Sequence, residues 1–259
     1  MNCSHEQMAQ ALFKSWFIDF DPVHNNAGGL APAHMDVATA SLFPSRFGAD
    51  GLPEGWCSVP IGGAAEIVGG STPSTKNPLF WEGGENLWAT PKDLSGAESP
   101  ILRDTERRIT EAGISQISSR QLPKGTLLLS SRAPIGYLAI AYRPVSVNQG
   151  FIAIKESREI PSAYTLFWCK ENMEAIIANA NGSTFQEISK RNFRPLPIIL
   201  PTQAVMDAYT IQVGALITRI ASNEEESFVL SGLRDILLPK LLSGEIRLRD
   251  AERKLVEVA

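Results

Sequence analysis

The sequence has few cysteines and histidines and lacks the short motifs that mark many enzyme classes. Its three cysteines, Cys3, Cys57 and Cys169, have no CxxC spacing, so they indicate neither a disulfide framework nor a zinc site. All three histidines precede residue 35, and no GxSxG, HExxH, phosphate-loop or dinucleotide-binding motif occurs. We therefore expect a protein without a catalytic centre, a metal site or a cofactor of its own.

No apolar run is long enough to cross a membrane. The apolar stretch nearest the N-terminus, residues 8–20, is interrupted by Lys14 and Asp19, and it lacks the basic start and cleavage site of a secretory signal. With 44% hydrophobic and 20% charged residues among 259, the chain can bury a sizeable core. We expect a cytoplasmic protein with no membrane partner.

Basic charge is scarce overall and unevenly placed. The net charge of -4 argues against a protein that wraps nucleic acid indiscriminately. Residues 1–55 carry 2 basic and 6 acidic side chains, residues 56–201 carry 15 and 13, and residues 202–259 carry 7 and 9. Only the middle part is positive, so it is the part that can face phosphates.

The middle part of the chain combines strand and helix patterns. Residues 3–20 show helical spacing, and Asp21-Pro22 is expected to end that helix. Short β-branched and aromatic runs bounded by Gly or Pro predict strands, and one longer apolar pattern predicts a helix over residues 162–179. The predicted strands are residues 64–68, 126–130, 137–141 and 151–154. The predicted fold class is α+β.

The strongest periodic pattern begins at residue 202 and continues to about residue 238. Its apolar side chains fall at three- and four-residue steps, which favours a coiled-coil seam over an ordinary core helix because the helix is long for one small domain. Pro239 is expected to kink or end it. The predicted seam residues are Met206, Tyr209, Val213, Leu216, Ile220, Leu230, Leu233 and Leu237.

Small polar and basic residues crowd several loops of the middle part. Ser, Thr and backbone amides suit phosphate oxygens, while Arg, Lys, Asn and Gln offer the donors and acceptors that distinguish base edges in a major groove. The alternative is ordinary turn chemistry, for which the same residue types are common. These loops are residues 69–76, 86–93, 130–136, 148–150 and 182–186.

Short motifs follow one another through residues 55–201. They are residues 55–56, 70–73, 81–84, 88–93, 109–113, 122–126, 130–136, 148–151, 182–185, 188–189 and 197–201. In this order they resemble the target recognition domain of a type I restriction-modification specificity subunit. Residues 233–248 resemble the end of that family's distal helical spacer, and residues 8–23 resemble the end of its central spacer.

The resemblance implies a half-length form of the subunit. The family's usual chain has two recognition domains separated by two long antiparallel helices, whereas this chain has one domain, one spacer helix and a remnant of another. The predicted organisation is an N-terminal helix remnant and linker over residues 1–55, a recognition domain over 56–201, and a spacer and dimerisation helix over 202–259. A homodimer would read a palindromic split target; pairing with another half-subunit is the alternative.

The resemblance also implies the function and its partners. The family's subunit is not an enzyme: it binds double-stranded DNA and positions methyltransferase subunits, which carry S-adenosylmethionine, and restriction subunits join them. The alternative is a truncated assembly or inhibitory protein that binds methyltransferase subunits without specific DNA recognition. The predicted DNA-binding residues are Thr72, Ser74, Lys76, Lys92, Arg132, Gln149, Thr184, Gln186, Lys190 and Arg191.

Overall fold

A computed structural model describes residues 2–32, 34–97, 99–182 and 186–246. The helices in this part of the chain are α1 (Asn2–Phe17), α2 (Asp21–Ala27), α3 (Val37–Ala40), α4 (Ile61–Ala64), α5 (Pro91–Leu94), α6 (Glu111–Ile114), α7 (Ser162–Glu171), α8 (Met173–Ala178), α9 (Lys190–Phe193) and α10 (Gln203–Leu242). The strands are β1 (Cys57–Pro60), β2 (Ile67–Gly69), β3 (Asn86–Ala89), β4 (Ile101–Leu102), β5 (Arg107–Ile109), β6 (Leu127–Ser131), β7 (Ile135–Ala141), β8 (Val145–Val147), β9 (Phe151–Ile154) and β10 (Pro197–Leu200).

The strands form two larger sheets and one short ribbon. The five-stranded sheet has the order β2-β9-β6-β7-β4, in which all neighbours are antiparallel except β4 and β7. The three-stranded sheet has the order β5-β3-β8, with β3 antiparallel to β5 and parallel to β8. The predicted α+β class is confirmed, with a mixed domain followed by a long helix.

Strand alternation builds a separate core on each face of the five-stranded sheet. On β6, Leu127 and Leu129 enter one core and Leu128 enters another, because successive side chains of a strand point to opposite faces. The first core joins this sheet to α1, α7 and α10. The second core lies between the two sheets, where Leu128 and Ala153 meet Leu87, Ala89, Val145 and Val147.

The two-stranded ribbon brings the ends of the domain together. Cys57 at the start of β1 pairs with Leu200 at the end of β10, so the chain enters and leaves the domain at neighbouring points. This pairing places α1 and α10 side by side. Asn2 and Asn223 are hydrogen-bonded at 2.8 Å, and Phe17 packs edge to face against Tyr209, so the two helices run antiparallel.

The first half of α10 packs within the chain itself, which corrects part of the predicted seam. Four of the predicted seam residues are at most 2% exposed and lie in the first core, and Leu216 packs against that core. They contact α1, α7 and the sheet, so they are not available to a second chain. The four residues are Met206, Tyr209, Val213 and Ile220.

The second half of α10 extends beyond α1 and is largely exposed. Leu230 is 56% exposed and Leu233 and Leu237 are half-buried. Further large apolar side chains are exposed on this half, namely Phe228, Val229, Ile236, Leu238 and Leu242. Pro239 lies within the helix, which ends three residues later at Leu242. Of the two expected effects of Pro239, ending the helix is therefore excluded, and a kink stays a prediction.

Other boundaries differ locally from the predictions. Asp21-Pro22 begins α2 instead of merely ending α1, because proline suits the first turn of a helix. The predicted helix over residues 162–179 is two helices that meet at Asn172. The predicted strand at residues 64–68 is the end of α4 followed by β2. Within the described part of the chain, no helix combines the length and apolarity needed to cross a membrane.

Candidate nucleic-acid interface

Several loops of the domain converge at one edge of its sheets. Four of them follow the C-terminal ends of β2, β3, β6 and β8, and the fifth leads into α9. Backbone hydrogen bonds connect them; the Ile188 amide of the fifth loop donates to the Ser131 carbonyl at 3.0 Å. Asn148 donates to the Ala89 carbonyl at 3.0 Å, and Ser131 donates to the Gly150 carbonyl at 2.8 Å. We name this surface the loop edge; it comprises residues 70–77, 90–95, 132–134, 148–150 and 186–191.

The loop after β2 lies against the loop after β8. The Ser71 amide donates to the Val147 carbonyl at 3.1 Å, and a Cβ at Gly70 would lie only 1.7 Å from the same oxygen. Only glycine permits this approach. The contact brings two predicted residues together, since the Thr72 hydroxyl donates to Oε1 of Gln149 at 2.7 Å. Among the described residues, the amide nitrogen of Gln149 donates no hydrogen bond, so its donors can bind another partner.

Lys92 and Arg132 line one surface cavity of about 410 Å³. Lys92 lies on α5, which begins with a capping box in which the Asp93 carboxylate accepts from the Thr90 amide at 2.7 Å. Arg132 begins the turn between β6 and β7. Tyr137 and Asn148 also line this cavity.

Carboxylates partly neutralise these two cations. Lys92 Nζ lies 2.8 Å from Glu106 Oε2, and both side chains are exposed to solvent. This hydrogen bond raises the pKa of Lys92 and lowers the pKa of Glu106. Arg132 Nη1 lies 3.8 Å from Glu187 Oε2, which is a looser pair. Exposed pairs of this kind are weak, so a phosphate can compete with the carboxylate for either cation.

Further predicted residues also lie on the loop edge, among them Lys190, Gln186 and Ser74. Lys190 follows the Ser189 cap of α9, and its Nζ would lie 2.9 Å from a Cβ at Gly69. Gln186 and Ser74 are exposed, and the Ser74 carbonyl accepts from Trp81 Nε1 at 3.0 Å.

Three predicted cations at this edge have no carboxylate partner. In the ranges that the structure describes, Lys76, Lys190 and Arg191 form no ion pair. Thr184 was also predicted to bind DNA, but it lies outside the described residues.

Sequence reasoning missed three residues at or beside this edge. Asn148 stands next to Gln149, and its Oδ1 accepts from the Gly150 amide at 2.8 Å. Tyr137 was assigned only to a strand, although it lines the cavity with Arg132. Arg107 was not considered because it follows a run of charged residues without any motif. A cationic residue beside a polar loop is weak evidence for a DNA-binding role until the fold shows which loops lie together.

The comparison with known families settles the relationship of the chain. Residues 53–211 match the family described as "Type I restriction modification DNA specificity domain". The chain belongs to this family. The predicted resemblance is thereby confirmed, and the loop edge lies within the matched specificity domain.

Two curated relatives are named as specificity subunits of type I restriction enzymes. This chain is 42% identical over 153 residues to the type I restriction enzyme MjaIX specificity subunit of Methanocaldococcus jannaschii, and the match covers 58% of this chain and 35% of the relative. The HindI specificity subunit of Haemophilus influenzae is 25% identical, and the match covers 95% of this chain and 62% of the relative. The chain thus spans less than two thirds of either relative.

A solved structure shares the fold of the specificity domain. The S subunit of a type I restriction-modification system from M. genitalium superposes with a TM-score of 0.51 at 16% identity. The match covers 73% of this chain and 46% of that chain.

Proposed function

We propose that this chain is the DNA sequence-recognition subunit of a type I restriction-modification complex and reads one half of a split target. The observation that carries the proposal is the convergence of the loop edge, where Thr72 and Gln149 are hydrogen-bonded and Lys92 and Arg132 share a cavity. The family assignment supports the same function. The subunit itself is non-catalytic in this proposal.

Some side chains of the loop edge bind phosphates in this proposal, and others bind base edges. Lys76, Lys190 and Arg191 neutralise phosphates and set the position of the domain on the duplex, while Gln149 and Arg132 present donors to base edges. Phosphate contacts account for most of the salt dependence of binding, and base contacts provide the sequence preference. Since the net charge is -4, the methyltransferase partners supply much of the remaining neutralisation.

Dimerisation through the second half of α10 completes the proposal. Residues 224–242 extend about 28 Å beyond the segment that α1 covers, at about 1.5 Å per residue. Leu230 is 56% exposed, and Leu233 and Leu237 are half-buried on the same face of the helix. A monomer does not require such an apolar stripe. Antiparallel pairing with the same segment of a second copy covers these side chains. A two-fold dimer then presents two loop edges to a palindromic split target.

In the assembled complex, the subunit holds methyltransferase subunits with their S-adenosylmethionine on the DNA, and restriction subunits join them in the cytoplasm. The second candidate is a truncated assembly or inhibitory protein that binds methyltransferase subunits through its helices without specific DNA recognition. The exposed second half of α10 fits either candidate, whereas the ordered loop edge favours the first.

Mapping methylated adenines tests the proposal. The chain is expressed with its methyltransferase subunits, and the DNA of the host cells is sequenced for N6-methyladenine. The expected result is methylation at one bipartite, palindromic sequence. A complex that forms and leaves no sequence-specific methylation would contradict sequence recognition and support the inhibitory candidate. Methylation at a non-palindromic split site would contradict the homodimer alone.

A further inference from the structure

The guanidinium of Arg107, at the start of β5, lies over two tryptophan rings. Its guanidinium carbon lies 4.0 Å from the centroid of Trp81 and 5.0 Å from that of Trp88. The two rings meet edge to face, with centroids 4.9 Å apart. A guanidinium that lies over an indole face keeps the N–H groups that do not face the rings for binding oxygens.

The backbone of Arg107 is also fixed. Arg107 pairs with Trp88 in the ladder between β5 and β3. The Thr105 hydroxyl donates to the Arg107 carbonyl at 2.7 Å and accepts from the Trp88 amide at 3.2 Å. Because Thr105 and Trp88 are buried, these contacts hold the start of β5 rigidly under the guanidinium.

Arg107 lies beside the loop edge and is linked to it on two sides. Trp81, on which the guanidinium stacks, donates its indole N–H to the Ser74 carbonyl. The preceding residue, Glu106, pairs with Lys92 at 2.8 Å. The arginine therefore stands between the loop of residues 70–77 and the first turn of α5.

Among the described residues, no carboxylate forms an ion pair with the guanidinium; the pKa of neighbouring Glu106 is lowered mainly by Lys92 and to a smaller extent by the charge of Arg107. In the part of the chain that the structure describes, Arg107 forms no ion pair and donates no side-chain hydrogen bond, although neighbouring Arg108 pairs with Asp104. Its side chain is exposed to solvent. An exposed, rigid and unpaired guanidinium is ready to bind a planar or tetrahedral anion without losing much conformational entropy.

We infer that Arg107 is a fixed contact to a phosphate of the DNA backbone, with Trp81 as its positioning residue; this inference rests on the proposed function. This contact supplements the phosphate contacts proposed for the lysines of the loop edge. It positions the domain on the duplex and carries no sequence information of its own.

A salt titration of duplex binding tests the inference. The full chain is titrated into a fluorescent pool of duplexes of random sequence, and anisotropy gives the affinity at several salt concentrations. Arg107→Ala is expected to weaken binding on the order of tenfold. It should also lower the slope of log affinity against log salt by about 1. Arg143→Ala is the matched control, because Arg143 is exposed in the turn between β7 and β8, at the opposite end of the sheet.

Arg107→Lys separates rigid placement from charge. It keeps the cation but loses the planar stack, so the salt slope should stay near that of the wild type while the affinity falls several-fold. If Arg107→Ala has a lower melting temperature than the wild type, Arg107→Lys provides the test of the phosphate contact in its place. Wild-type affinity in Arg107→Lys would contradict a role for the stacked geometry.

The remaining outcomes separate this inference from the proposed function. If wild-type chain binds the pool and Arg107→Ala behaves like Arg143→Ala, the inference fails while the proposed function stands. If the wild-type chain binds no duplex at low salt, the titration is repeated with the complex of the chain and its methyltransferase subunits, because those partners supply much of the neutralisation; absence of binding by that complex would contradict both. A second titration uses a duplex with the sequence found by methylation mapping; a loss of affinity for that duplex without a loss for the random pool would assign Arg107 to base reading and overturn the phosphate contact.

Discussion

Two buried tyrosine hydroxyls in the first core differ in whether they have a hydrogen-bond partner. Tyr164 donates to the Ile199 carbonyl, whereas the Tyr209 hydroxyl has no partner among the described residues. Burial raises the pKa of both, so both stay neutral in the folded chain. We expect Tyr209→Phe to stabilise the chain by up to about 1 kcal/mol, because it removes an uncompensated polar group.

Tyr164→Phe is the matched control for that substitution. It removes the same oxygen but leaves the Ile199 carbonyl without its donor, so it should destabilise the chain by about 1–2 kcal/mol. Urea unfolding of both variants measures the difference. Equal destabilisation by the two substitutions would contradict the hydrogen-bond assignment at Tyr209.

Removing the Glu106 carboxylate should strengthen DNA binding at neutral pH. Glu106 neutralises Lys92, and Glu106→Gln frees that cation for a phosphate, so we expect a several-fold gain in affinity for random-sequence duplex and a steeper salt dependence. Glu66→Gln is the control. It breaks a similar exposed pair with Lys155, at 2.6 Å, at the opposite end of β2. A gain of the same size in both variants would contradict a local effect.

The pH dependence of the same pair has a definite sign. Since Lys92 lowers the pKa of Glu106, the carboxylate stays charged until the pH falls below its usual titration range. Below that point it is protonated and releases Lys92, so wild-type affinity should rise as the pH falls. In Glu106→Gln this part of the rise should be absent. An anisotropy titration across the acid range measures it.

At the residue scale, the sequence indicated the loops but not their contacts. Thr72 and Gln149 were both predicted because of their residue types, yet they are 77 positions apart and only the β2–β9–β6 arrangement makes them neighbours. Arg107 was missed for the same reason. The role that we infer for Arg107 depends on its contact with the ring of Trp81, which lies 26 positions earlier in the sequence.

At the scale of elements, periodicity predicted the long helix but not which molecule covers it. The apolar spacing through Met206, Tyr209 and Val213 is the same whether α1 or a second chain packs there. The structure shows that α1 does. Strands β6 and β9 were predicted within one residue because they are buried on both faces and strongly apolar. Strands of two or three residues such as β4 and β8 are too short to show a pattern.

A charged substitution in the second half of α10 should break the proposed dimer without unfolding the domain. Leu230 is 56% exposed, so Leu230→Lys removes apolar area from the proposed interface and leaves the first core intact. Sedimentation should show a shift from dimer to monomer, while the melting temperature of the domain changes little. Ile211→Lys is the control, because Ile211 is 75% exposed on the half that α1 accompanies. A wild-type chain that stays monomeric at high concentration would contradict the proposed interface.

At the scale of the whole molecule, the predicted N-terminal remnant is part of the main core. Phe13, Trp16 and Phe17 of α1 are 1% exposed and surround Tyr209 with aromatic contacts. Burying each such side chain is worth about 1.5–3 kcal/mol. Three of them together approach the full stability of a typical domain, about 5–15 kcal/mol. The recognition domain should therefore not fold without α1.

Two truncations test this dependence from opposite ends of the chain. A chain of residues 21–259 loses α1, so we expect it to lack a cooperative melting transition and to expose the apolar face of α7 and α10. A chain of residues 1–226 keeps the contacts of Asn223 with Asn2 and of Arg103 with Glu224 and Glu225. Of the described residues, it loses the largely exposed end of α10 and the turn that follows. It should melt close to the full chain and remain monomeric. Circular dichroism and sedimentation measure both, and a cooperative fold in residues 21–259 would show that α1 is dispensable. The two results together separate the role of α1, which completes the core of the domain, from the role of the second half of α10, which we propose connects the domain to a second copy.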